Sequence, residues 1–93
     1  MDRVKLTPTE IAERMTLLKG WEADDDRLKT RKEFNNFAES LDFVNKVGII
    51  AEAADHHPDI TFGWGYAEIT FTTHDRGGIT DVDFALAEEV NLI

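Results

Sequence analysis

Between Ile60 and Thr73 the chain alternates apolar and polar side chains on either side of Gly65, and no other stretch narrows the fold as much. Ile60, Phe62 and Trp64 alternate with Thr61 and Gly63, and Gly65 marks a turn. The return, Tyr66 to Thr73, sets Ala67, Ile69, Phe71 and Thr73 against Glu68, Thr70, Thr72 and His74. A period of two sends each set to its own face of a strand, so the stretch predicts an antiparallel hairpin. A second hairpin lies upstream. Trp21 opens a short strand that ends at a loop tip formed by Asp24, Asp25 and Asp26. After it, Leu28, Thr30, Lys32 and Phe34 alternate with Lys29, Arg31 and Glu33.

Helices fill the gaps. Thr7, Pro8 and Glu10 form a capping box with proline at the first helical position, followed by the stripe Ile11, Met15, Leu18 and a stop at Lys19-Gly20. Asn36 with Glu39 opens a second helix running to about Ala54. It carries two apolar stripes, Phe37, Leu41, Val44, Gly48, Ala51 and Phe43, Val47, Ile50, Ala54, so it has two things to pack against. One is the sheet; the other is a partner subunit or the flanking helices. Thr80 with Asp83 caps a third helix after Gly77-Gly78, with Val82, Leu86, Val90 and Ile93 inward. The order α-β-β-α-β-β-α predicts an α+β two-layer sandwich: one four-stranded antiparallel sheet with three helices on one face, as a single domain over residues 1–93.

A core of this size has no disulfide to staple it, because the chain of 93 residues has no cysteine. Association into a homodimer or homotetramer is the expected further source of buried surface. The net charge of −9 repels phosphate backbones, so no nucleic-acid partner is expected. Neither a signal-peptide core nor a membrane-spanning run is present in the sequence, and a soluble cytoplasmic protein is expected.

All three histidines, His56, His57 and His74, flank the second hairpin. Antiparallel pairing about Gly65 opposes residues whose numbers sum to about 130, which brings His56 and His57 to the same end of the sheet as His74. Imidazole is the side chain suited to proton transfer near neutrality. Glu52, four residues before His56, shares its helix face if the helix persists that far, and Asp83 follows in the first turn of the third helix. Each has a plainer explanation: Glu52 as a solvated helix residue, Asp83 as a cap, His74 as the polar end of a strand. Other chemistries fit less well. Adjacent His56 and His57 do not easily aim at one ion, HExxH spacing is missing, and no metal is expected. Ser40, the only serine, sits inside the second helix, and no nucleophile elbow exists. Acid–base work on a bound small molecule is what remains.

Glu52-x-x-x-His56-His57-Pro58, the aromatic Trp64, Thr73-His74 and Asp83 together resemble the signature of the pterin-4a-carbinolamine dehydratases. The resemblance extends over the chain through Gly20-Trp21, Phe34-x-x-Phe37 and Gly78-Ile79-Thr80. It implies dehydration of 4a-hydroxytetrahydrobiopterin, or a related 4a-hydroxytetrahydropterin, to the quinonoid dihydropterin, with no cofactor. It also implies a functional link to an aromatic amino-acid hydroxylase. On the same ground His56 and His74 are the acid–base pair, His57 holds the pterin, Glu52 and Asp83 orient the imidazoles, and Asp55 and Thr73 contact the ring. Relatives in dimers extend the sheet edge to edge, and tetramers pack helices. The sequence departs from the pattern at Ile60, where many relatives carry an aromatic, at Val82, often polar in relatives, and in the loop holding Arg76. The alternative is a non-catalytic coactivator or assembly module on the same fold, which has no need of all three histidines.

Overall fold

The computed structural model of the protein describes residues 3–93. Its elements are α1 (Pro8–Met15), β1 (Glu22–Asp24), β2 (Arg27–Glu33), α2 (Phe37–Ala53), β3 (Asp59–Gly63), β4 (Tyr66–Phe71) and α3 (Asp81–Val90). A short 3-10 turn, His74–Arg76, lies between β4 and α3. The four strands form one antiparallel sheet in the order β1-β2-β4-β3, so the α+β order expected from the sequence is the one observed.

The alternation decides which face is covered. Leu28, Thr30, Ala67, Ile69 and Phe71 are buried, and the helices contact the sheet on that side. Arg31, Thr61 and Glu68 point to the other, exposed side, where Arg31 pairs with Glu68 directly across β2 and β4. Phe71 and Phe84 lie at the centre of the core, and Val47 and Val90 are equally sealed. Burying a side chain of this size stabilises the fold by roughly 1.5–3 kcal/mol.

Both hairpins turn in two residues. Asp25 and Asp26 have φ of 47° and 64°, the paired positive values of a type I′ turn, so the acidic run is the loop tip the sequence suggests. The second hairpin pairs Asp59 with Thr70 through Gly63 with Tyr66, one residue tighter than a turn centred on Gly65. Trp64 therefore sits in the turn, 72% exposed, and not on the apolar face with Ile60 and Phe62. Two further expectations need correcting, at the ends of α1 and α3. Helix α1 ends at Met15, with Thr16 bonding back to the Glu13 carbonyl, and Leu18 enters the core from the following turn. Phe37 and Leu41, in the first stripe of α2, are exposed, whereas Phe43, Val47 and Ala51 are buried. Ile93 lies beyond the end of α3 and is exposed, while Val82, Leu86 and Val90 are inside as expected.

Candidate active site

The end of α2 separates the two adjacent histidines. The helix stops at Ala53, and Asp55 takes the left-handed conformation with φ of 49°. Asp55 N–H donates to the Glu52 carbonyl at 3.1 Å and His56 N–H to the Ala51 carbonyl at 3.1 Å. These two bonds are the Schellman pair that closes a helix C-terminus, with aspartate in the place glycine usually takes. The residue after the left-handed one folds back onto the helix. Here that residue is His56, which is only 6% exposed, while His57 is turned outward.

The reversal decides the partner of Glu52. Its carboxylate meets His57, with Nε2 at 3.0 Å from Oε1, and not His56. The four-residue spacing to His56 fails because it holds only along a continuous helix. Both members of the Glu52–His57 pair are exposed, so the contact orients the ring more than it stabilises the fold.

His56 binds Asp83 instead. Its Nε2 lies 2.6 Å from Asp83 Oδ1, and Asp83 is fully buried. The second oxygen, Oδ2, accepts from Thr73 Oγ1 at 2.8 Å and from Thr80 N–H at 2.9 Å. Thr73 spends its only proton on Asp83, so the 2.9 Å contact between hydroxyls has Thr80 Oγ1 donating to Thr73. The capping role and the histidine-orienting role of Asp83 are thus carried by different oxygens of one carboxylate. Thr80, from the sequence a cap alone, is also part of this buried chain. A threonine seven residues before a capping threonine is the only trace of it in the sequence.

The geometry sets the tautomer. A carboxylate that accepts at both oxygens requires a proton on His56 Nε2, which leaves the neutral ring's lone pair on Nδ1. Nδ1 has no protein partner among the described residues, and no fully buried side-chain nitrogen there lacks one. Nδ1 is therefore an atom of this ring that is not sealed from solvent. An imidazole held in this way takes a proton at its free nitrogen while the buried carboxylate stabilises the cation formed.

His74 stands at the first position of the 3-10 turn, directly after Thr73, and is exposed. The strand register places it at the same end of the sheet as His56 and His57, and its imidazole has no hydrogen-bond partner among the described residues. The expected residues thus form three groups: buried His56, Asp83 and Thr73; exposed Glu52, Asp55 and His57; and His74 alone on the adjoining turn. Donor atoms of Glu52, Asp55 and His57 lie within 4.8 Å of one another, close enough to share a cation, although His57 Nε2 is engaged with Glu52. Ile60 pairs with Ile69, and Val82 is buried, so neither contributes a polar group. Among the described residues no helix is long and apolar enough to cross a membrane.

The family model for pterin 4 alpha carbinolamine dehydratase matches residues 4–93, which include every residue named above. A protein of Rubrobacter xylanophilus named "Putative pterin-4-alpha-carbinolamine dehydratase" is 53% identical over 75 residues, covering 80% of this chain and 70% of the relative. One of the same name from Nostoc punctiforme is 42% identical over 88 residues, covering 95% of each. A crystal structure of a transcriptional coactivator/pterin dehydratase from Brucella Melitensis matches with a TM-score of 0.90 at 28% identity, covering 95% of this chain and 96% of that one. A pterin dehydratase-like protein described as a RuBisCO assembly factor in the alpha-carboxysome matches at 0.64 and 23% identity, a likeness of fold alone.

Proposed function

Because the chain belongs to the pterin 4 alpha carbinolamine dehydratase family, we propose that it dehydrates a 4a-hydroxytetrahydropterin by histidine acid–base catalysis without a metal. The C4a–O bond breaks and the oxygen leaves as water with a proton from one imidazolium. N5 gives its proton to a second imidazole, and the N5=C4a bond of the quinonoid product forms. The two transfers cancel, so no oxidant, reductant or cofactor is consumed. His56 and His74 serve as the pair, His57 binds the pterin with its ring set by Glu52, and Asp55 flanks the substrate. Thr73, expected from the sequence to contact the ring, is sealed in the core with its hydroxyl on Asp83 and acts through that carboxylate. The observation that carries the proposal is His56, anchored through Nε2 to buried Asp83 with Nδ1 not sealed from solvent. General acid–base catalysis of this kind contributes about 10²–10⁴-fold.

Stopped-flow dehydration of a synthetic 4a-hydroxytetrahydropterin tests it. The wild type accelerates the reaction over buffer, His74→Ala lowers kcat by roughly 10²-fold, and a chelator changes neither rate. A folded wild type no faster than buffer rejects the activity, and loss of rate with chelator rejects the metal-free mechanism.

A homo-oligomer built on α2 is part of the same proposal. Gly48 lies in mid-helix on the stripe with exposed Phe37 and Leu41, and a Cβ there would meet nothing within 4 Å. Glycine in a helix interior costs about 1 kcal/mol relative to alanine, and no contact within the chain calls for it here. Close approach of a second α2 does. Gly48→Leu is expected to lower the mass measured by light scattering while leaving the far-UV spectrum unchanged. A wild type that is already monomeric at all concentrations would contradict the interface.

A further inference from the structure

We infer that Arg3 is a positioning residue that holds the two histidine-bearing loops at a set separation, a role whose catalytic consequence rests on the dehydratase reading. The segment before α1 lies against the loop that carries His74. Leu6 N–H donates to the Ile79 carbonyl at 2.8 Å, and the Leu6 side chain is buried. Lys5 lies so close over Gly78 that a Cβ at that glycine would stand 2.7 Å from Lys5 Cε. Thr73 and Gly78 close the neck of the loop with backbone bonds of 3.0 and 3.4 Å.

Arg3 then connects this loop to the other one. Its carbonyl accepts from Arg76 Nε–H at 2.6 Å, and its guanidinium Nη2 donates to the Asp55 carbonyl at 3.4 Å. Arg76 ends the 3-10 turn that begins at His74, and Asp55 immediately precedes His56 and His57. One residue therefore touches both halves of the site, and it precedes the stretch shared with the family. A second observation agrees. The last turn of α2 contains no basic residue, although the partial negative charge of a helix C-terminus favours one. The guanidinium of Arg3, on the carbonyl of the left-handed residue that ends α2, supplies that charge from a distant part of the chain.

Proton transfer between a substrate and groups on two loops depends on their spacing, and a displacement of about 1 Å can cost about 10²-fold in rate. The full chain is compared as wild type, Arg3→Ala, Arg3→Lys, Arg76→Ala and the double alanine variant. The measurements are dehydration kinetics, the thermal unfolding midpoint, and the imidazole carbon–proton NMR signals of His57 and His74. Each single alanine variant is expected to lower kcat about tenfold with KM and the unfolding midpoint nearly unchanged, and both histidine signals shift. Arg3→Lys retains most of the rate. The double variant is no slower than the slower single one, because either change breaks the same bridge. Multiplying losses, a wild-type kcat in Arg3→Ala, or a histidine signal that stays in place would overturn the role. If the wild type itself shows no turnover, the dehydratase reading fails. The clamp is then judged on the NMR signals, supported if both move in each single variant and rejected if either does not.

Discussion

Replacing Asp83 by alanine is expected to destabilise the fold by roughly 3–5 kcal/mol, the largest loss of stability from any single side chain in the site, and to remove most of the catalytic rate that depends on His56. Three donors converge on this carboxylate: His56 Nε2–H, the Thr73 hydroxyl and the Thr80 N–H. Asp83 and Thr73 are almost fully sealed, so the donors left behind have little access to water. Urea titration of Asp83→Ala against wild type measures the stability term. Asp83→Asn separates the two roles. An asparagine oxygen can serve Thr73 and Thr80, but its amide then faces His56 and forces the proton from Nε2 to Nδ1. The lone pair now points into the protein and Nδ1 cannot act as a base. A ring held in the wrong tautomer is lost as a base, so the cost approaches that of removing His56 itself, about 10²–10³-fold. Asp83→Asn is therefore expected to lose rate nearly as fully as Asp83→Ala while retaining more stability. An asparagine variant with a near-wild-type kcat would show that the tautomer is not what Asp83 controls.

The second large effect is at His56. His56→Ala is expected to lower kcat by roughly 10²–10³-fold with a modest change in KM, because the ring acts on the proton more than on the grip. The substitution leaves a small opening beside Asp83 Oδ1 on the side where Nδ1 is not sealed from solvent. Added imidazole can enter it and bond the same oxygen, so tens of millimolar imidazole are expected to restore part of the rate in this variant and not in Asp83→Ala. A His56→Ala protein with undiminished turnover would assign the chemistry to other groups.

What could be read from the residues and what could not divides along a physical line. Alternation in Leu28–Phe34 and Ile60–Thr73, and caps at Thr7, Asn36 and Thr80, act over a few residues, and the fold follows from them. The site depends on longer-range events. Asp55 reverses the chain without the glycine that commonly announces such a turn, so the pairing of Glu52 with His57 and the burial of His56 were hidden. Capping by Asp83 was legible because Thr80 is three residues away. Its bond to His56 spans 27 residues and appears only when the start of α3 meets the end of α2. Trp64 misled because a two-residue turn begins one residue earlier than Gly65 suggests. Arg3 had no local pattern to betray it, since both of its contacts lie more than fifty positions away.

Asp83 also bears on how the native molecule comes apart. Through one buried carboxylate it joins the end of α2 at His56, the end of β4 at Thr73 and the start of α3 at Thr80. Ends of helices and strands are ordinarily where a folded chain opens first and at least cost. Here no one of the three can fray without abandoning a charge-assisted bond in the interior. They are expected to open together or remain closed, which amide hydrogen exchange would read as a single late-opening unit at this end of the molecule, although His57 and His74 stand at its surface.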